Sequence, residues 1–129
     1  VYAETDLLVA LAKPDDWLGE AAERALEEYE VETSLLAYVE LLLVSDRYEF
    51  DRTRAVADLL DLVPLPDPAD QQLVLKAATY QDEYGATTFD AFHAAIAESR
   101  DDSVLGSDGI YDDIGLERIA LESLVDQSD

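Results

Sequence analysis

The chain has no cysteine and no methionine in 129 residues, and only five glycines, four prolines and eight Lys plus Arg. Without cysteine, neither a disulfide framework nor a thiolate metal site can form. The longest apolar stretch, Leu35 to Val44, is interrupted by Glu40 and falls short of the ~20 residues that span a membrane. The opening Val1-Tyr2-Ala3-Glu4 has neither the basic n-region nor the cleavage site of a secretory leader. Linkers, low-complexity tracts and internal repeats are missing, as are a glycine-rich phosphate loop, a Walker lysine and a Ser-His-Asp set. What is there is a chain that is 49% hydrophobic, with apolar residues recurring throughout. That pattern argues against disorder. The length suits one domain over residues 1–129, able to bury roughly two thirds of its unfolded surface. The expectation is a soluble, cytoplasmic domain with no membrane partner.

Charge is the loudest feature. Thirty-one Asp plus Glu against eight cations give a net charge of −23. Such a charge strains the compact state by self-repulsion at low salt. Screening shortens from ~8 Å at physiological ionic strength to ~3 Å at 1 M. Asp outnumbers Glu, and Lys13 and Lys76 are the only lysines. Together these features resemble proteins of salt-loving archaea. A nucleic-acid mimic or a binder of basic partners is the rival reading. The acids are spread along the whole chain instead of forming a tail, which favours salt adaptation.

Short apolar strands alternate with helical patterns. Val1 to Ala3 reads as a strand, and Leu7 to Ala12 continues apolar as far as Pro14. Asp15 or Asp16 caps a helix in which Trp17, Ala21, Ala25 and Tyr29 recur at spacing four. Val31 to Thr33 is a second strand, and Ser34 caps a helix running to about Asp46. A further helix covers about Asp51 to Leu60, with Ala55, Val56, Leu59 and Leu60 on its apolar stripe. Leu62 to Leu65 reads as a strand ended by Pro66. Residues 69–84 form a helix closed by Gly85, and Thr87 or Thr88 caps the helix Phe89 to Ser99. Val104-Leu105 and Ile119 to Leu121 supply the last strands. This alternation predicts an α/β fold, a three-layer α/β/α domain with a parallel sheet of about five strands covered on both faces.

In open parallel sheets, ligands bind outside the carboxyl ends of the strands. Glu4, Thr5 and Asp6 follow the first strand, and Glu40 lies in the second turn of the Ser34 helix. Asp90 opens the fifth helix, and Ser107-Asp108-Gly109 follows the fourth strand. Glu40 is the hardest to explain structurally. A helix apolar on every other face is expected to be buried, and a buried carboxylate is costly unless paired or metal-bound. Escape to solvent, or a pair with Arg47, is the plain alternative. Asp90 equally suits a capping box with Thr87. His93, one turn on, suits a packed side chain better than a catalytic one, and Asp112 and Asp113 suit solvated turns.

These residues carry a family resemblance. The chain resembles a PIN domain, and especially the VapC-type toxin ribonucleases of toxin–antitoxin pairs. "VETSLLAYVELLLV" is similar to that family's second strand and glutamate-bearing helix, and "TTFDAFHAAIAES" to its third-acid helix. "VLGSDGIYDDIGLERIAL" is similar to the fourth strand, its Ser-Asp and the final strand. The family's usual first Asp is here Glu4, and its usual Ser or Asn two residues on is Asp6. Either can be the first metal ligand, or the two can share the role. The resemblance implies a metal-dependent endoribonuclease with Mg²⁺ or Mn²⁺ held by Glu4, Asp6, Glu40, Asp90 and Asp108. Thr5 and Ser107 would orient these acids by hydrogen bonds. It also implies an RNA substrate, a cognate antitoxin protein and a homodimer formed through apolar helix faces near Leu36 to Leu60.

The physical chemistry agrees with this picture. Two carboxylates ~4 Å apart repel by about 4 kcal/mol at an effective dielectric of about 20, so converging acids need a cation or shared protons. Oxygen ligands without a His or Cys cluster favour Mg²⁺ or Mn²⁺ over zinc. The one local cluster of cations, Arg47, Arg52 and Arg54, suits RNA phosphates or an acidic antitoxin segment, and equally suits surface ion pairs. A phospho-receiver domain also gathers acids at strand ends. It needs a lysine after its last strands, and none is there. A non-catalytic module of the same fold, with acids kept for salt adaptation, is the alternative from another class.

Overall fold

The computed structural model describes residues 1–48 and 50–125. The described chain forms seven α-helices and two short strands, six of the helices preceding the first strand. Helix α1 spans Thr5–Ala12, α2 Gly19–Glu28, α3 Leu35–Val44, α4 Arg52–Leu62, α5 Pro68–Tyr84 and α6 Thr88–Ser99. Strand β1 (Val104–Gly106), helix α7 (Ile110–Ile114) and strand β2 (Arg118–Ala120) follow. β1 and β2 pair in parallel, with Leu105 opposite Ile119. The result is a mostly helical α/β arrangement with a parallel sheet.

The helix boundaries follow local chemistry. Asp51 accepts from the amide of Arg54 at the start of α4, and Asp67 from that of Ala69 at the start of α5. Pro68 opens α5, where its missing N–H has no partner to lose. Gly85 closes α5 in the left-handed region, at φ 66°, a conformation that glycine adopts without a Cβ clash. Thr87 caps α6 by accepting from the amide of Asp90 at 3.3 Å.

The core lies where α5 meets α3, α4 and α6. Ala77 and Ala78 of α5 and Ala91, Ala94 and Ala95 of α6 are all buried. Such short side chains let two helices pack at the small end of the usual 8–10 Å spacing. Tyr38, Leu41, Leu42, Val56, Leu59 and Val74 fill the same cluster. Within it the Tyr38 hydroxyl donates to the carbonyl of buried Val63 at 2.7 Å.

The expected five-stranded sheet needs correction. The segments 1–3 and 30–33 do pair in parallel. Val1 donates to the carbonyl of Glu30 at 2.7 Å, Glu32 to that of Val1 at 2.8 Å, and Ala3 to that of Glu32 at 2.7 Å. Only the Tyr2–Glu32 bridge forms, because helices begin at Thr5 and Leu35 before a ladder can extend. The expected strand Leu62 to Leu65 is absent for a different reason. Pro64 and Pro66 have no N–H to offer a ladder. The amide of Val63 is already donated to Leu59, and that of Leu65 to Gln71 Oε1 at 3.0 Å. Nor is the sheet covered on both faces, since Leu105 is 59% and Ile119 46% exposed.

Two helix readings also shift. Leu7 to Ala12 is helical, as part of α1. In α2 the buried residue is Ala22, whereas Trp17 precedes the helix and is exposed. Among the described residues no helix is long and apolar enough to cross a membrane.

Candidate active site

The parallel pairing of residues 1–3 with 30–33 delivers the first acid. Thr33 Oγ1 donates to the carbonyl of Ala3 at 2.8 Å, and the chain then turns directly into α1. Glu4 occupies the position before the helix and Asp6 its first turn, where the helix dipole favours a negative charge. A hydrogen bond with Asp6 is the first cause that holds the Glu4 carboxyl above the usual carboxylate range. The charge of Asp6, partial desolvation and the charge of Glu40 add to it. Like charges disfavour ionisation, so Glu4, Asp6 and Glu40 form one electrostatic group. Thr5 lies among these acids but does not bond to one. Its Oγ1 faces the carbonyl of Ala37 at 3.5 Å, a weak contact that joins α1 to α3.

Glu40 stands here for a different reason than the sequence suggests. It is exposed, not buried. Helix α3 buries Ala37, Tyr38, Leu41 and Leu42, and turns Leu36, Glu40 and Leu43 outward at helical spacing. The uniformly apolar sequence hid that outward stripe.

The second group lies at the head of α6. Asp90 is half-buried at the third residue of the helix. The hydroxyl of buried Tyr111 donates to Asp90 Oδ1 at 3.3 Å. Asp108 Oδ1 accepts from the amide of Ile110 at 2.9 Å, which shapes the turn into α7. Burial, then the charge and hydrogen bond of Asp90, then the charge of Asp108, push the Tyr111 hydroxyl up to about 12. Asp90 and Asp108 therefore both lie near the Tyr111 hydroxyl. Beside them a cleft of 480 Å³ runs along β1, lined by His93, Arg100, Ser107, Asp108 and Tyr111 among others. Ser107 is exposed and makes no hydrogen bond among the described residues.

Helix α3 packs against both α1 and α6, so one element links the two groups. Among the described residues no three His, Cys, Asp or Glu side chains are gathered tightly enough to enclose a metal ion. Mg²⁺ does not need such a cage, because it keeps several waters and commonly uses one or two carboxylates. The donor set is all oxygen, and Glu4 is electrostatically crowded by its neighbours, so the residues present fit a hydrated divalent cation. Glu4, Asp6, Glu40, Asp90 and Asp108 are the carboxylates that would hold it.

The basic cluster divides. Arg52 pairs with Asp46 and Asp82 and donates to Ser45 Oγ at 2.8 Å. Its side chain is only 14% exposed. These bonds tie it to the fold, in line with the surface ion pairing that the sequence equally suits. Arg47 and Arg54 are exposed and make no ion pair among the described residues. Tyr111 is the residue that sequence reasoning passed over. Its only signal was a hydroxyl-bearing aromatic three residues after the Ser-Asp pair.

A family model described as PIN domain matches residues 1–117. No curated protein and no solved structure matches the chain. PIN domains are generally metal-dependent nucleases, and RNA is the substrate that such nucleases imply in general.

Proposed function

We infer that this chain, which belongs to the PIN domain family, is an endoribonuclease that hydrolyses RNA phosphodiester bonds with Mg²⁺ or Mn²⁺. The observation that carries the reading is the placement of Glu4 and Asp6 at the head of α1, which packs on the Glu40-bearing helix α3, a group of like charges that a cation would relieve. When bound, such a cation activates water for in-line attack on the phosphodiester and neutralises the charge that develops. Glu4, Asp6 and Glu40, at α1 and α3, and Asp90 and Asp108, at α6 and α7, would hold and orient it. Ser107, beside Asp108 in the cleft, supplies a hydroxyl to substrate or water. Exposed Arg47 and Arg54 are free to meet RNA phosphates or an acidic antitoxin segment.

The finer reading is a cytoplasmic VapC-type toxin, neutralised by a cognate antitoxin and adapted to high salt. Its support is the likeness of the acid-bearing segments and the charge of −23. A homodimer belongs to the same reading. The outward Leu36 and Leu43 of α3 are its available apolar surface, since Leu41, Leu42, Leu59 and Leu60 are buried.

The test is cleavage of single-stranded RNA in molar KCl with Mn²⁺, Mg²⁺ or a chelator. Cleavage with either metal and none with chelator is expected. The second reading is a non-catalytic interaction module of the same fold. No cleavage, together with no metal-dependent thermal shift, would establish that module instead.

A further inference from the structure

We propose that Tyr111 is a positioning residue that fixes the Asp90 carboxylate for its metal and locks it to the turn carrying Asp108. The inference rests on the reading of Asp90 as a metal ligand. Tyr111 is 6% exposed, and its hydroxyl has one hydrogen bond among the described residues, to Asp90 Oδ1. A buried phenol without a partner is costly, so Tyr111 and Asp90 constrain one another. The bond engages one carboxylate oxygen, and the other makes no hydrogen bond among the described residues.

The position of Tyr111 in the chain makes the bond more than a local contact. Three residues earlier, Asp108 accepts from the amide of Ile110 and so sets the start of α7. Helix α7 packs on both α5 and α6, and the Tyr111 ring lies 3.8 Å from where a Cβ on Gly106 would sit. The ring thus seats the end of β1 and α7 against α6, and the hydroxyl adds the aim of one carboxylate. Phenylalanine would fill the same space. Packing alone therefore accounts for the ring and leaves the hydroxyl unexplained, whereas a role in orienting Asp90 accounts for both. Partners that orient a ligating carboxylate typically matter by 10–100-fold in metal affinity or activity.

The experiment is calorimetric titration of Mn²⁺ into the full chain in molar KCl, for wild type, Tyr111→Phe, Asp90→Asn and the double variant. Tyr111→Phe is expected to weaken Mn²⁺ binding on the order of 10-fold. It should lower kcat for RNA with little change in KM, and leave the metal-free melting temperature unchanged. In the Asp90→Asn background the same change should do nothing further, because the two act as one unit. Wild-type Mn²⁺ affinity in Tyr111→Phe, with Asp90→Asn impaired, overturns the role of Tyr111 alone. A change in melting temperature without a change in affinity overturns it too, by reducing Tyr111 to packing. Wild-type affinity in Asp90→Asn overturns the reading of the site, and the role of Tyr111 falls with it.

Discussion

Arg52 at the start of α4 is tied to Asp82 near the end of α5, and Thr53 donates to the same carboxylate. The guanidinium also reaches Asp46 and Ser45, so one cation fastens three elements in a chain with few cations to spend. Arg52→Ala removes that brace and leaves Asp46 and Asp82 without their counter-charge. Hydrogen bonds to charged groups contribute about 1.5–3 kcal/mol each, and the exposure of the acidic partners reduces the expected loss to about 1–2 kcal/mol. Denaturant unfolding should show this loss, and RNA cleavage by the folded variant should be unchanged. Arg54→Ala, which breaks no ion pair among the described residues, should leave stability unaltered.

The helical part of the fold was legible because its signals are local. Asp51, Thr87 and Gly85 mark helix ends by their own side chains or backbone freedom, without reference to distant residues. The sheet was less legible because strand length depends on where the neighbouring helix begins. At Thr5 and Leu35 the helices begin too early for more than a bridge. Leu62 to Leu65 looked like a strand by hydrophobicity, yet two prolines and two committed amides leave it nothing to donate. At the candidate site, the acids were singled out by their places after strands and at helix starts. Which face of α3 looks outward could not be read from an almost uniformly apolar sequence, and so Glu40 was expected to be buried. Tyr111 was invisible because its role lies in a contact across 21 residues.

Folding should depend on salt. With a net charge of −23, repulsion among surface carboxylates weakens as the Debye length falls from ~8 Å at 0.15 M to ~3 Å at 1 M. The melting temperature should rise substantially between dilute buffer and molar KCl. A flat profile sinks salt adaptation and leaves the nuclease reading untouched.

Glu40→Gln tests an acid that structure alone does not require. Its side chain is exposed on the outward stripe of α3, and it adds to the charge that Glu4 meets. Removing that charge should abolish metal-dependent RNA cleavage while keeping or raising metal-free stability. Strong destabilisation with cleavage intact would instead make Glu40 a structural partner.

Glu4 gives the metal-free protein a pH signature whose sign is fixed. Its folded pKa is raised above the ordinary 4.5 by Asp6, partial desolvation and Glu40. The folded state therefore holds the Glu4 proton more tightly than the unfolded state does. The resulting stability is fully present below the unfolded pKa and is lost as pH rises through the raised folded value. In dilute buffer with chelator, the melting temperature of wild type relative to Glu4→Gln should fall as pH climbs from about 4.5. Molar KCl should shrink the difference, because the carboxylates are exposed and screened. A difference that does not change with pH would falsify the coupling.

Glu4 and Asp6 can be separated by the same pair of measurements. An extended chain through Asp6 would point both side chains to one side, but α1 begins at Thr5, so Asp6 sits in a first helical turn. There it gains from the helix dipole and raises the Glu4 pKa from the adjoining helix start rather than through strand register. Glu4 lies before the helix, feels both Asp6 and Glu40, and stands where the family has its first acid. On the proposed reading Glu4 is therefore the ligand and Asp6 orients it. Asp6→Asn should weaken Mn²⁺ binding and RNA cleavage by about 10–100-fold, and Glu4→Gln should cost more. Both variants are to be titrated with Mn²⁺ in molar KCl. A nearly silent Glu4→Gln beside a damaging Asp6→Asn reverses the two roles.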